Sequence, residues 1–211
     1  MPAPTDLLVP CVCIVKPVWE DASVGIEDGA VLNVSNEREL EVALDAASNR
    51  FGDVFAEQYI EGREFNVSLL ADGDNVEILP VAEIDFVDFP PDKPRIVGYS
   101  AKWAEGSFEY GATPRRFDFP ASDAALLDRL GKLALECWRV FELRGCARVD
   151  FRVDAAGKSW VLEVNVNPCL SADAGFMAAA RRRGLTDAEV VSRMVIAAWA
   201  PMGREVAARH V

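Results

Sequence analysis

Four polar residues near the end of the chain have the types and the spacing of a metal and phosphate site. Arg148 and Asp150 flank a valine, and Glu163 and Asn165 flank another. Alternate residues of a strand point to the same face of a sheet, so each pair is expected to share a face while the valines face the core. Carboxylate and amide oxygens are ligands that Mg²⁺ accepts. The pattern predicts a divalent-metal site with a cation beside it.

The segment between these two pairs predicts a hairpin turn, because Asp154–Lys158 combines Asp, Gly and small residues. A one-residue slip would turn one strand's polar residues into the core, so few registers are acceptable. A loop of two or four residues places Asp150 opposite Glu163 and Arg148 opposite Asn165, whereas a three-residue loop separates them. A solvated sheet face is the competing interpretation. Facing carboxylates destabilise a sheet unless a cation compensates them, which favours the metal.

The composition describes a globular protein with little affinity for polyanions. The chain has 211 residues, 51% of them hydrophobic, enough for one large domain or two small ones. Its formal net charge of −12, from 22 basic and 34 acidic residues, argues against nucleic acid or an anionic membrane as the main partner. No apolar run is long enough to span a membrane, and the first residues do not read as a signal peptide.

The cysteines and the histidine restrict the chemistry further. The five cysteines include no C-x-x-C pair and cannot all pair with each other, which predicts a reduced, cytoplasmic protein. Cys11 and Cys13 alternate on a predicted strand and are expected in the core. The only histidine is His210, the penultimate residue. Histidine acid–base catalysis and histidine metal sites are therefore not expected.

The hydrophobic pattern predicts a mixture of helices and strands. Strands are expected in five short segments: 12–15, 30–34, 54–60, 65–71 and 76–80, the last two forming a hairpin. Helices are expected in four segments: 36–48, 122–138, 174–183 and 187–199. Asn36 and Glu39 form a capping box for the first helix, Ser122 is expected to cap the second, and Gly184 separates the last two. Residues 88–116 are predicted to form a long irregular loop.

Two lysines and a polar loop could bind an anion. Lys16 directly follows a buried strand, so its ammonium group is expected at the sheet edge, facing the loop 20–25. Backbone N–H groups of Ala22–Gly25 could bind phosphate oxygens, although the sequence is not a P-loop. Lys102 lies in the long predicted loop and could close over a substrate. Solvated surface lysines are the competing interpretation.

Six segments, in this order, resemble the ATP-grasp superfamily and within it the D-alanine–D-alanine ligase type. They are residues 15–17, 20–25, 57–65, 101–103, 147–150 and 162–168. The resemblance covers nearly the whole chain and implies an α/β (α+β) ATP-grasp fold. Residues 1–60 would form a partial central subdomain. Residues 61–211 would form a C-terminal subdomain with an antiparallel sheet and flanking helices.

The resemblance implies which residues bind ATP. Lys16 and Lys102 would neutralise its phosphates, and the loop that contains Ser23 would cover them. Glu64 would accept hydrogen bonds from the ribose, with a surface ion pair to Arg63 as the competing interpretation. The adenine edge would pair with the backbone of one strand, formed by Glu57, Gln58, Tyr59 and Ile60.

The resemblance also implies the reaction. Asp150, Glu163 and Asn165 would hold two Mg²⁺ ions, with Mn²⁺ as the alternative metal. Arg148 would stabilise negative charge that develops during transfer, and Lys102 would assist at the phosphates. A substrate carboxylate would form an acyl phosphate that an amine then attacks. No protein nucleophile is needed, in agreement with the near absence of histidine.

Several features differ from ligases of this type. Those ligases begin with a separate domain that shapes the carboxylate site, whereas this chain starts almost at Lys16. It is expected to be a fragment of a longer ligase, a natural truncation or one piece of a split enzyme, and its candidate partners are a second copy or a complementary N-terminal chain. Cys169 stands where they have glycine, and we expect a small buried cysteine rather than a nucleophile. Ala174-Gly175 stands where they have Ser-Leu, which leaves both substrates unidentified. Two alternatives are an ATP-binding module without independent activity and a Mg²⁺-dependent phosphohydrolase, which would not need Glu57 or Glu64.

Overall fold

The computed structural model describes residues 7–199, which form two compact units. Unit 1 comprises the described part of Met1–Arg63 together with Ile84–Arg115 and Val153–Gly157. Unit 2 comprises Glu64–Glu83, Arg116–Arg152 and the described part of Lys158–Val211. The predicted subdomain boundary at residue 60 stays a prediction. His210 lies outside the described residues.

Unit 1 contains a three-stranded antiparallel sheet with the strand order β2-β1-β3. The strands are β1 (Cys11–Pro17), β2 (Val31–Val34) and β3 (Val54–Gln58). These ranges confirm the three predicted strands, although Ala30 belongs to a preceding 3₁₀ turn and β3 ends before Tyr59. Alternation places Cys13 and Val15 on the face that packs against α1 (Glu37–Phe51).

The predicted capping box begins helix α1. The Asn36 side chain accepts a hydrogen bond from the Glu39 N–H at 3.0 Å, and Glu39 Oε2 accepts one from the Ser35 N–H at 2.8 Å. These bonds satisfy backbone donors that have no partner inside the helix. The helix continues to Phe51, three residues beyond the predicted end, and buries Leu40 and Leu44 in the core of unit 1.

The segment 88–116 is more ordered than the sequence predicted. It contains two short helices, α2 (Tyr99–Trp103) and α3 (Phe108–Ala112), so the prediction of one irregular loop was wrong. Five residues are too few to show a helical period, which explains why the hydrophobic pattern missed them. Ser107 caps α3 by accepting a hydrogen bond from the Tyr110 N–H. Lys102 therefore lies on a helix.

Unit 2 is built on a six-stranded sheet. Five of its strands follow the order β7-β6-β4-β8-β9, and the sixth, β5, pairs with β4 outside that order. The strands are β4 (Arg63–Asp72), β5 (Asn75–Ile78), β6 (Ala82–Ile84), β7 (Arg115–Arg116), β8 (Cys146–Val153) and β9 (Ser159–Asn165). The predicted hairpin is confirmed, because Leu69 pairs with Ile78 and Asp72 pairs with Asn75.

Three long helices belong to unit 2: α4 (Ala124–Val140), α5 (Gly175–Arg182) and α6 (Asp187–Trp199). The expectation that Ser122 caps α4 was wrong. Ser122 lies in a 3₁₀ turn, and Asp123 precedes the helix without a capping side-chain hydrogen bond. Gly184, with a φ of 91°, follows α5 as predicted. No helix within residues 7–199 has the length and apolar character needed to cross a membrane.

All five cysteines are free. Cys13 is buried, as predicted, whereas Cys11 is only partly buried at the edge of the same core. Burial raises the pKa of the Cys13 thiol, because the thiolate would lose its hydration in the core. Cys13 is thus a packing residue.

We expect Gly62→Ala to lower the free energy of unfolding by about 2–4 kcal/mol, since a strained backbone and a steric clash would add. Gly62 has a φ of 149°, and a Cβ placed there would lie 2.1 Å from the backbone oxygen of Val153. Urea unfolding followed by fluorescence measures the loss. The control is Gly73→Ala, where φ is 61° and no atom lies within 4 Å of the added Cβ. In Gly73→Ala only the left-handed backbone conformation would lower the free energy of unfolding, by about 1–2 kcal/mol. Equal losses would contradict the clash.

Candidate functional site

Strand β8 places its charged residues on one face, as the alternation predicted. Its core face carries four residues buried to at least 97%: Ala147, Val149, Phe151 and Val153. Turning any of these residues outward would expose apolar surface, so the pleat fixes the direction of the residues between them. The opposite face carries Arg148, Asp150 and a third charged residue, Arg152.

Arg148 and Asp150 form a two-point ion pair on this face. Arg148 Nε donates to Asp150 Oδ1 at 2.7 Å, and Arg148 Nη2 donates to Asp150 Oδ2 at 2.8 Å. Burial opposes the charge on the guanidinium, but Asp150, Glu163 and Glu64 more than offset it and raise the pKa of Arg148. Arg148 is therefore a permanent cation beside the carboxylates predicted to bind a metal.

The neighbouring strand β4 supplies partners that the sequence analysis missed. Asn66 Nδ2 donates to Asp150 Oδ1 at 2.9 Å, and Arg152 Nη2 donates to Glu64 Oε2 at 2.8 Å. The competing interpretation placed Glu64 in a surface ion pair, but Glu64 is buried and its carboxylate contacts Arg152. A signal was present in the sequence, where Glu64 and Asn66 alternate with the apolar residues of β4.

The other two predicted metal ligands lie on β9, the strand next to β8. Glu163 is exposed, and Asn165 Oδ1 accepts a hydrogen bond from the Asn167 N–H at 2.9 Å. In the turn before β9, the Gly157 N–H donates to Asp154 O at 2.9 Å. The exact register of Asp150 against Glu163 stays a prediction.

The donor chemistry of these residues fits Mg²⁺, which prefers hard oxygen ligands and binds proteins through one or two carboxylates. Asp150 and Glu163 supply carboxylates, and Asn165 supplies an amide oxygen. Residues 7–199 contain no group of three or more His, Cys, Asp or Glu that could hold a metal by themselves. A site here would therefore include the amide and ligands from outside the protein.

In unit 1, Lys16 of β1 forms an ion pair with Glu57 of the neighbouring strand β3. The pair is partly buried. Glu57 therefore partly neutralises the charge of the Lys16 ammonium group, which lies beside β1 and β3. The proposed contact of Lys16 with phosphate stays a prediction.

The outer edge of β3 presents backbone hydrogen-bonding groups. Asp53 O accepts from the Val18 N–H at 2.9 Å and the Tyr59 N–H donates to Val12 O at 3.0 Å, so the odd-numbered residues face β1. Backbone groups alternate in direction along an antiparallel strand, so those of Gln58 point away from β1. Within the described ranges, β1 is the one strand that pairs with β3. This edge could bind a planar base through its N–H and C=O groups.

The loop 20–27 is held against α2 and the residues before it. Trp103 Nε1 donates to Ala22 O at 2.9 Å, and Ser23 Oγ donates to Val97 O at 2.9 Å. Ala22 and Ser23 both have positive φ, at 52° and 66°. Lys93, which precedes α2, also forms an ion pair with Asp28, directly after the loop. These contacts anchor the loop predicted to cover phosphates.

Cys169 differs from its expectation, because it is exposed and not buried. Its sulfur lies 3.0 Å from Ser171 Oγ. The hydrogen bonds from the Ser171 hydroxyl and backbone lower the pKa of the Cys169 thiol, with a smaller contribution from the charge of Arg148. Cys169 therefore has more thiolate character than the buried cysteines.

The family model described as "D-ala D-ala ligase C-terminus" matches residues 5–196. The chain belongs to this family. D-alanine–D-alanine ligases of Bordetella avium, a Synechococcus species and Thermotoga maritima are 32%, 35% and 32% identical to it. These matches cover 84%, 86% and 92% of the chain but only 50%, 50% and 58% of the relatives. The chain thus spans about half the length of the curated relatives it matches.

Solved structures of the D-alanine–D-alanine ligase family share its fold. D-alanyl-alanine synthetase A of Vibrio cholerae superposes with a TM-score of 0.67 at 18% identity, covering 89% of this chain and 53% of that one. The Bacillus anthracis ligase crystallised with ATP gives 0.61 at 22% identity, covering 88% and 52%. The predicted ATP-grasp fold and family are confirmed. The roles of the individual site residues stay predictions.

We expect Arg152→Met to destabilise the chain by about 3–5 kcal/mol, because it removes the cation that hydrogen-bonds to the buried Glu64 carboxylate. The double variant Glu64→Leu/Arg152→Met removes both charges, and we expect it to recover most of that loss. Denaturant unfolding of the two single variants and the double variant gives the coupling energy. If the double variant lost as much as the sum of the single ones, the pair would not behave as a buried ion pair.

We expect iodoacetamide at neutral pH to alkylate Cys169 before the other cysteines. A lowered pKa gives a larger thiolate fraction at that pH, whereas burial raises the pKa of Cys13, Cys137 and Cys146. Ser171→Ala should slow the alkylation of Cys169 severalfold and leave Cys137 unaffected. Peptide mass spectrometry over a time course measures both rates. A Cys169 rate that is insensitive to Ser171→Ala would show that the hydroxyl does not tune this thiol.

Proposed function

We propose that this chain is the ATP- and Mg²⁺-binding part of a carboxylate–amine ligase of the D-alanine–D-alanine ligase type. One observation carries the proposal. The sheet of unit 2 directs Arg148 and Asp150 to the same face, linked by two hydrogen bonds, in a chain that belongs to this family. A permanent cation beside a hard carboxylate ligand suits phosphoryl transfer, which depends on positioning and charge neutralisation.

Residues of unit 1 would contact the nucleotide. The outer edge of β3 would pair through Gln58 with the adenine edge, within the segment Glu57–Ile60. Lys16 and Lys102 would neutralise the phosphates, beneath the loop that contains Ser23. The anchoring of that loop by Trp103 supports this role, because a loop that is held in place loses less entropy when it closes on a ligand. In unit 2, Glu64 would accept hydrogen bonds from the ribose hydroxyls, while the hydrogen bond from Arg152 orients its carboxylate.

Asp150, Glu163 and Asn165 would hold two Mg²⁺ ions, with Mn²⁺ as the alternative. When bound, the metal would neutralise charge on the phosphate oxygens and align them for in-line attack. The protein contributes the orientation of the ligands and the neighbouring Arg148. The ion pair between Arg148 and Asp150 supports this arrangement, because it holds the guanidinium group 2.7 Å from an oxygen of a proposed metal ligand.

The reaction would proceed in two steps. A carboxylate oxygen of the first substrate attacks the γ-phosphorus of ATP, the bond to the bridging oxygen breaks, and ADP leaves with its electron pair. The amine of the second substrate then attacks the acyl carbon, loses a proton, and expels phosphate to form an amide. Arg148 and Lys102 would stabilise the negative charge that develops in both steps.

Both substrates are proposed by chemical class only, as a small carboxylate and a small amine. The matches cover only 50% to 58% of the named relatives. A complementary N-terminal chain or a second copy would supply the rest of the carboxylate site. We place the protein in the cytoplasm because its five cysteines are free and ATP is available there.

We expect the full chain to release ADP from ATP only when Mg²⁺, a carboxylate and an amine are all present. A panel of D- and L-amino acids, with ADP and phosphate release as the readouts, tests this. Asp150→Asn should reduce turnover by at least about 100-fold, because the metal loses a charged ligand. The control is Asp128→Asn, which removes an exposed carboxylate that pairs with Lys132 on α4.

Two results would contradict the proposal. Phosphate release without any need for an amine would identify a phosphohydrolase, above all if Glu57→Ala and Glu64→Ala left it unchanged. Tight ATP binding without turnover, for every amino acid and every added N-terminal chain, would identify a binding module.

A further inference from the structure

The carboxylate of Asp150 is nearly saturated with protein donors. Oδ1 accepts one hydrogen bond from Asn66 Nδ2 at 2.9 Å and one from Arg148 Nε at 2.7 Å. Oδ2 accepts one from Arg148 Nη2 at 2.8 Å. An ionised carboxylate offers about four lone-pair sites, so one site remains, and it belongs to Oδ2. The hydrogen bonds therefore distinguish two oxygens that are chemically alike.

The two donors differ in how firmly they are held. Arg148 lies on a long, flexible side chain, and the proposed reaction also asks it to stabilise charge outside the protein. Asn66 has a short side chain on β4, between Phe65 and Val67, which are both fully buried. Its backbone cannot rotate without exposing one of these apolar residues, so its amide reaches Asp150 from a fixed position.

We propose that Asn66 is a positioning residue, which holds Oδ1 of Asp150 so that Oδ2 is presented to a divalent metal ion. The inference rests on the proposed function, which makes Asp150 a metal ligand. While the Arg148 guanidinium turns toward a phosphoryl group, Asn66 retains its hydrogen bond and the carboxylate keeps its orientation. Hydrogen bonds to a ligand that orient it in this way typically contribute about 10- to 100-fold to metal affinity.

The competing interpretation is a hydrogen bond that stabilises the sheet and has no effect on the metal. The two differ in what they predict for affinity relative to stability. A purely structural bond would change the thermal midpoint without a specific loss of metal affinity. A positioning bond would lower metal affinity beyond what the change in stability explains.

The test is Mn²⁺ binding to the full chain, followed by the electron paramagnetic resonance signal of free Mn²⁺. Asn66→Leu keeps the number and branching of the side-chain heavy atoms and removes the donor, and we expect it to weaken Mn²⁺ binding about 10- to 100-fold. The matched control is Ser68→Ala, which changes a buried residue of the same face of β4, two positions away. We expect Ser68→Ala to retain wild-type affinity, while thermal unfolding reports the stability of both variants.

The inference is overturned if Asn66→Leu binds Mn²⁺ as the wild type does, or if Ser68→Ala loses as much affinity. If Asn66→Leu does not fold, Asn66→Ser replaces it, because serine is too short to reach Asp150 and should show the same loss. Asp150→Asn distinguishes a failure of the Asn66 proposal from a failure of the proposed metal site. Loss with Asp150→Asn but not with Asn66→Leu refutes the role of Asn66 alone. No change with Asp150→Asn refutes the metal site itself and the role of Asn66 with it.

Discussion

The arrangement of charges in unit 2 depends on one constraint, the pleat of a strand that is buried on its apolar face. Val149 and Phe151 are fully buried, and the strand cannot slip or rotate without exposing them. Arg148, Asp150 and Arg152 must therefore point to the opposite face. There they are mostly buried as well, so each charge needs a partner close by. The ion pairs to Asp150 and Glu64 and the Asn66 amide satisfy that need. The chemistry of the site thus follows from packing on its other side.

The two units build binding groups from different parts of the chain. Unit 1 offers mainly backbone groups, on the edge of β3 and in a loop whose positive φ values and anchoring hydrogen bonds fix its path. Unit 2 offers side chains, whose directions the sheet sets and whose charges neighbours on adjacent strands balance. A nucleotide base and a divalent metal ion need these two different kinds of binding group. A planar base can be read by N–H and C=O groups, whereas a divalent ion needs charged oxygens.

Local patterns were predictable from the sequence, and long-range pairing was not. The capping box at Asn36, the hairpin between β4 and β5 and the alternation of β8 all depend on residues close in sequence, and the structure confirms them. The alternation of Glu64 and Asn66 along β4 indicates that they share a face. It cannot indicate that they contact Arg152 and Asp150, which lie more than 80 residues further along the chain. The helices α2 and α3 were missed because each has only five residues. The expected burial of Cys169 was also wrong, because the residue is exposed. It lies in a short segment after β9, and such a segment has no periodicity that would indicate which way its side chains face.

The open edge of β3 has a cost as well as a use. A strand with unpaired N–H and C=O groups can pair with a strand of any other chain as readily as with a base, so it is a starting point for aggregation. In β3 this hazard is limited by length, because the strand has only five residues. A nucleotide bound along the edge would cover the same groups. Pairing with a ligand and pairing with another chain would therefore compete for the same backbone groups.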